Sequence, residues 1–171
     1  MFKIWMDLLM EVPGSVLWLM KLNEAAQDNL SKEALNHGID PNRIVYATRV
    51  PLVEDHLARY RLADLFLDTF PYNGHTTAGD ALRAGIPVVS LSGNSFASRV
   101  AASLLHDVGL PQYACATLEE YHNIALRMSQ HPEELTTFRN HMQVQLSSGK
   151  WPQSAANQGY SFAAALGQIS K

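Results

Sequence analysis

Trp5, Leu8, Leu9 and Val12 recur at spacings of three and four residues, which predicts a short amphipathic helix ended by Pro13 and Gly14. Residues 15–20, Ser-Val-Leu-Trp-Leu-Met, form a nearly unbroken apolar run, the pattern of a strand covered on both faces. A polar helical stretch over 24–37 follows and Gly38 stops it. The alternation then repeats: strand over 43–46, helix over 53–62, strand over 64–68, helix over 77–84 and a buried strand over 86–91. A helix over 98–108 carries Val100, Leu104 and Leu105 on one face. A short extended piece over 113–116 precedes helices over 118–130 and 132–146. Residues 147–158, rich in Ser, Gly, Gln and Asn, read as a loop before a last helix near 160–169.

Strands alternating with helices at this interval are the signature of right-handed βαβ units. The predicted fold is therefore α/β, a Rossmann-like parallel sheet flanked by helices, with residues 1–171 as one lobe and 147–171 as its loop and C-terminal helix. In such sheets ligands bind beyond the carboxyl ends of the strands. Three loops reach that edge: 47–56, 69–80 and 92–99.

Charge narrows the ligand class. The chain has 13 Lys and Arg against 16 Asp and Glu, a formal charge of −3, and no basic run. Nucleic acid is a poor candidate partner, since phosphate neutralisation supplies most of that affinity. A 47% hydrophobic and 17% charged composition is that of a folded globular chain. No apolar stretch nears the roughly 20 residues that cross a bilayer, and residues 1–11 lack a signal-peptide pattern. The expectation is a cytoplasmic protein with no membrane contact. The single cysteine, Cys115, offers neither an internal disulfide nor paired thiolates for zinc.

The middle loop carries the most chemistry. Phe70-Pro-Tyr-Asn-Gly-His-Thr-Thr-Ala-Gly-Asp80 leaves a strand and opens a helix. Gly74 allows close backbone approach, and Thr76 and Thr77 can cap the helix while offering hydroxyls and amides to phosphate oxygens. Thr77 and Asp80 have capping-box spacing. Residues of this kind equally make a well-capped helix after a turn. His75 favours an anion, because a histidine beside helix amides can donate to phosphate, although a surface turn also accommodates one. His56 and Arg59, three apart, share one face of the preceding helix; Arg59 suits a phosphate and His56 a base or sugar, or both belong to a solvated face. GxGxxG, the P-loop lysine motif, GxSxG and HExxH are all missing, so dinucleotide redox chemistry, NTP hydrolysis, serine hydrolysis and zinc proteolysis have no support. The remaining histidines lack metal-ligand spacing, and no metal or cofactor is expected.

The run Asp64-Leu-Phe-Leu-Asp-Thr-Phe-Pro-Tyr-Asn-Gly-His-Thr-Thr77, with Asp80-Ala-Leu82, Ala84-Gly-Ile-Pro-Val88, Gly93 and Phe96-Ala-Ser-Arg-Val-Ala-Ala-Ser-Leu-Leu105, resembles the O-linked N-acetylglucosamine transferases and the related Spindly-type proteins. Val12-Pro-Gly-Ser-Val-Leu-Trp-Leu19, Pro41-Asn-Arg-Ile-Val45 and Glu54-Asp-His56 extend the likeness, which runs from about Trp5 to Leu146. The resemblance implies the C-terminal lobe of a two-lobed GT-B glycosyltransferase of family 41. It implies transfer of N-acetylglucosamine from UDP-GlcNAc to Ser or Thr of proteins, without a metal. Asn73, Gly74, His75, Thr76 and Thr77 would then hold the diphosphate, with Asp80 supporting the loop or sugar end and His56 and Arg59 on the nucleoside side.

Three departures accompany it. The family lysine upstream of the tryptophan matching Trp5 has no counterpart, since Lys3 stands too close. Val53 replaces a lysine three positions before His56, and Lys150-Trp-Pro-Gln153 replaces a Leu-Phe segment followed by an acidic residue. The expectation is a donor-nucleotide lobe without its N-terminal lobe or tetratricopeptide repeats, inactive in isolation and prone to self-association through the face a missing lobe would cover. Two rival expectations stand beside it: a GDP-sugar fucosyltransferase lobe of Spindly type, and a non-catalytic nucleotide-binding or interaction domain.

Overall fold

A computed structural model of the chain describes residues 1–149. The elements run α1 (Phe2–Glu11), β1 (Leu17–Met20), α2 (Glu24–Asn36), β2 (Ile44–Ala47), α3 (Val53–Tyr60), β3 (Phe66–Leu67), α4 (Thr76–Arg83), β4 (Val88–Leu91), α5 (Val100–Asp107), β5 (Ala114–Cys115), α6 (Leu118–Gln130) and α7 (Pro132–Ser147). Single 3₁₀ turns at Pro41–Arg43, Phe96–Ser98 and Pro111–Tyr113 lead into β2, α5 and β5. Every described strand pair is parallel, which confirms the α/β reading. The hydrogen-bonded ladder falls into two parts, β1–β2 and β3–β4–β5.

The two parts have separate cores. Val88, Val89, Ser90 and Leu91 of β4 are all buried, with α4, α5, α6 and α7 contributing Leu82, Leu105, Tyr121, Met128, Phe138 and Met142 around them. Burying each of the larger of these side chains contributes on the order of 1.5–3 kcal/mol. The second core is smaller: Met6 and Leu9 of α1 and Ala34 of α2 pack on Leu17 and Ile44. Trp5 touches both. Its Nε1 donates to the Tyr121 hydroxyl at 3.3 Å, and that hydroxyl donates to the Asp68 carbonyl at 3.0 Å. Arg43 closes the small core by donating to Leu9 O, Val12 O, Ser15 O and Ser15 Oγ.

Several expectations change. Residues 15–20 read as a strand covered on both faces, yet Val16, Trp18 and Met20, with Val45 opposite Trp18, are exposed. Both α1 and α2 lie over the Leu17 and Ile44 side, so an apolar run was buried on one face only. The strand read over 86–91 pairs from Val88, because Pro87 has no N–H to give the ladder and only its carbonyl accepts, from Phe66 N at 2.7 Å. The helix read over 98–108 divides into the Phe96–Ser98 turn and α5, with Ser95 and Ser98 forming a reciprocal capping box. The predicted loop at 147–158 and last helix near 160–169 lie, from residue 150 on, outside the described residues.

Candidate functional site

The loop joining β3 to α4 is built from its own side chains. Asp68, 1% exposed, accepts the N–H of Thr69 at 2.9 Å and of Gly74 at 2.6 Å on Oδ1, and the Ser90 hydroxyl on Oδ2. Burial pushes its carboxyl above the ordinary value, while the hydrogen bonds from Ser90, Gly74 and Thr69 and the nearby His75 pull the other way. Asn73 donates through Nδ2 to Thr69 O and Leu91 O, and its N–H reaches Ala97 O at 2.9 Å. The side chain of Asn73, expected at the diphosphate, is buried, and its Nδ2 braces the loop.

Asn73 also laces this loop to the one after β4. There Gly93 N donates to Ser98 O, and a Cβ on Gly93 would stand 2.6 Å from Ser98 Oγ and 2.9 Å from the Phe70 ring. Gly74 is just as confined, since its Cβ would meet Thr77 Oγ1 at 2.6 Å, Asp68 Oδ1 at 3.2 Å and the Ala78 amide at 3.3 Å. Both glycines are needed for close approach.

His75 is the N-cap residue of α4, and no side chain caps the helix there. The capping box expected from Thr77 and Asp80 is not formed, because His75 and not Thr77 is the N-cap residue; Asp80 pairs with Arg83 Nη1 at 3.1 Å. The first-turn amides and the exposed Thr76 and Thr77 thus front an open N-terminus, where the helix dipole favours an anion. The imidazole stacks on Tyr72 with centroids 4.8 Å apart and meets the Phe96 ring edge-on at 6.0 Å. His75 Nε2 is buried and has no hydrogen-bond partner among the described residues. An orphaned imidazole nitrogen at an uncapped helix N-terminus is an observation that a ligand oxygen would explain.

On α3, Arg59 is already engaged: Nη1 donates to Thr48 O and Nη2 to His56 Nδ1, both at 2.8 Å. Because guanidinium only donates, Nδ1 is the acceptor and the neutral His56 ring carries its proton on Nε2. Arg59, expected on a phosphate, here orients His56 and the loop after β2. Tyr60, edge-on to His56 at 5.4 Å, has its hydroxyl pushed up to about 12 by burial first and the Asp80 charge second. Through Tyr60 the α3 and α4 candidates sit on adjoining helices.

The sequence singled out neither Asp68, Ser90, Tyr72 nor Phe96. A cavity of about 620 Å³ lies at the C-terminal end of α4, away from His75, between Arg61, Arg83 and Arg139. Asp80 pairs with Arg83 and Asp64 with Arg139 at 3.5 Å, and the arginines offset the negative ends of α3 and α4.

Comparison with known proteins places this geometry in context. The family model "Glycosyl transferase family 41" matches residues 1–152. A UDP-N-acetylglucosamine–peptide N-acetylglucosaminyltransferase of Caenorhabditis elegans is 39% identical over 136 residues, covering 80% of this chain and 12% of that protein. The probable enzyme SEC of Arabidopsis thaliana is 37% identical over 126 residues, 73% of this chain and 13% of its own length. The solved structure of a mutant O-GlcNAc transferase from Thermobaculum terrenum superposes with a TM-score of 0.86 at 32% identity, over 99% of this chain and 32% of that one. The chain thus spans about an eighth of the length of those two curated relatives and shares its parallel α/β fold with part of the bacterial transferase. The chain belongs to glycosyltransferase family 41.

Proposed function

We propose that this chain is the donor-nucleotide lobe, C-terminal in a two-lobed transferase, of a protein O-glycosyltransferase that takes UDP-GlcNAc. The observation that carries the reading is the orphaned Nε2 of His75 beside the uncapped start of α4. The relatives' printed names supply the donor and the peptide acceptor.

In this reading the diphosphate sits before α4. His75 Nε2, the Thr76 and Thr77 hydroxyls and the first-turn amides donate to its oxygens, and the helix dipole favours the charge that grows as the sugar departs. These donors perform the task without a metal ion. His56, held through Nδ1 by Arg59, serves the nucleoside. The acceptor and the remaining groups come from a second lobe, so the chain alone binds donor and transfers little, because misplaced groups cost orders of magnitude in rate. Its site of action in the cell is the cytoplasm. No described helix is long and apolar enough to cross a membrane.

Thermal unfolding with UDP, GDP and UDP-GlcNAc tests the reading, since a ligand that binds the folded state raises its stability. A shift with UDP that His75→Ala abolishes is expected. No shift with any nucleotide at millimolar concentration sinks it, and a shift with GDP alone moves the chain to the GDP-sugar reading. Val53, 65% exposed where the family resemblance calls for a lysine, favours a second reading in which nucleotide binds but no sugar moves.

A further inference from the structure

We propose that Asp68 is the positioning residue of the anion loop: a carboxylate that never meets the ligand and sets where His75 and the first turn of α4 stand. The inference rests on the donor-site reading above.

Asp68 is one of the few buried polar side chains among the described residues, and nothing in the proposed binding of the diphosphate uses it. Its oxygens are spent behind the loop. Oδ1 spans the loop by taking the amides of Thr69 and Gly74, while Oδ2 takes the Ser90 hydroxyl from β4, the central and fully buried strand. The Gly74 bond is the one that matters, because Gly74 directly precedes the N-cap residue His75. Gly74 is wedged between the carboxylate and α4, as the short approaches of its missing Cβ to Asp68 Oδ1, Thr77 Oγ1 and Ala78 N show. Turning the Gly74 amide inward fixes the Asn73–Gly74 peptide plane, and with Gly74 wedged against α4 this sets where the chain enters His75. Asn73, the other brace, ties the loop to Leu91 and Ala97 and does not reach the Gly74 amide.

A negative charge behind an anion site opposes binding. Its place there is explained by geometry: an ionised acceptor makes shorter and stronger hydrogen bonds than an amide oxygen does. An asparagine can reproduce the pattern, with Oδ1 on the two amides and Nδ2 donating to Ser90 Oγ. Geometry and charge therefore separate in one pair of substitutions.

The experiment uses the isotopically labelled full chain, with UDP as the probe. Solution NMR reads hydrogen exchange of the Gly74 amide, the His75 ring resonances and UDP affinity in wild type, Asp68→Asn, Asp68→Ala and Ser90→Ala. Asp68→Ala is expected to lose Gly74 protection and weaken UDP by about tenfold or more, and Asp68→Asn to keep protection and bind within about threefold of wild type. Should Asp68→Ala fail to fold, Ser90→Ala, which removes the Oδ2 donor, is expected to weaken UDP more than Asp68→Asn does, and affinity equal to wild type overturns the inference. Equal losses in Asp68→Asn and Asp68→Ala overturn the inference in favour of charge. Unchanged affinity with an unprotected Gly74 amide overturns it outright. If wild type binds no UDP, the donor reading fails, and the Gly74 and His75 signals alone decide about Asp68: an amide that exchanges freely in wild type ends the proposal.

Discussion

The imidazole of His75 lies face to face with the phenol of Tyr72, ring centroids 4.8 Å apart and planes 17° from parallel. Tyr72 is itself 64% exposed, so the stack forms the outer wall of the loop, and the Phe96 ring meets the imidazole edge-on. An aromatic pair of this kind contributes about 0.5–1.5 kcal/mol beyond its buried area. Tyr72→Phe should therefore leave UDP affinity unchanged, and Tyr72→Ala should weaken it about three- to tenfold and lower the melting temperature by about 2–6 °C. Isothermal titration checks both; equal affinity in all three proteins removes Tyr72 from the site.

Gly74→Ala should damage the loop more than an ordinary surface substitution. The new Cβ would press on Thr77 Oγ1, which can rotate, and on the Ala78 amide, which cannot. Overpacking of this order costs roughly 1–3 kcal/mol. Denaturant unfolding should show that loss, and nucleotide-induced stabilisation should fall with it.

Asp68 gives stability a defined pH dependence. Its carboxyl is raised in the folded state above the ordinary 3.8, chiefly by burial. The folded state thus favours the protonated form: the contribution is complete below 3.8 and is lost as pH rises through the folded value. Asp68→Asn, which cannot ionise, escapes that loss. Its melting temperature should gain on wild type as pH climbs from 3 towards 7, and a gap that narrows over that interval contradicts the assignment.

Cys115 should be inert in the native protein. It is buried, and burial pushes its thiol up to about 11, with Glu120 adding to the shift. Since the thiolate is the reactive form, a thiol reagent at pH 8 should modify the protein only as fast as it unfolds. Denaturant should release one reactive thiol per chain. Rapid labelling of the folded chain would show that the β5 edge is open.

The uncovered face of the β1–β2 pair should drive self-association at high concentration. Val16, Trp18, Met20 and Val45 present adjoining apolar surface there. Sedimentation equilibrium should show a concentration-dependent mass that Trp18→Ser with Val45→Thr brings to the monomer value. A wild-type chain that stays monomeric would show that this face needs no partner.

The period of the hydrophobic pattern was enough to specify the order of strands and helices. Pro13-Gly14 and Gly38 ended elements where the sequence said they would, because a ring-locked φ and a left-handed φ are local properties. The composition of residues 69–80 likewise marked the loop that carries His75, Thr76 and Thr77. What the chain alone left undecided depends on who stands opposite. An apolar run reads the same whether one face or both are covered, so the open side of Trp18 and Val45 emerged only from the packing of α1 and α2. By sequence Arg59 suits a phosphate or a solvated face, and only the fold sets it on Thr48 O and His56, 11 and 3 residues away. Asp68 looked like the end of a strand. Its hold on Gly74 and Ser90, 6 and 22 residues along, exists only in three dimensions, where a buried carboxylate must find its donors wherever the fold brings them.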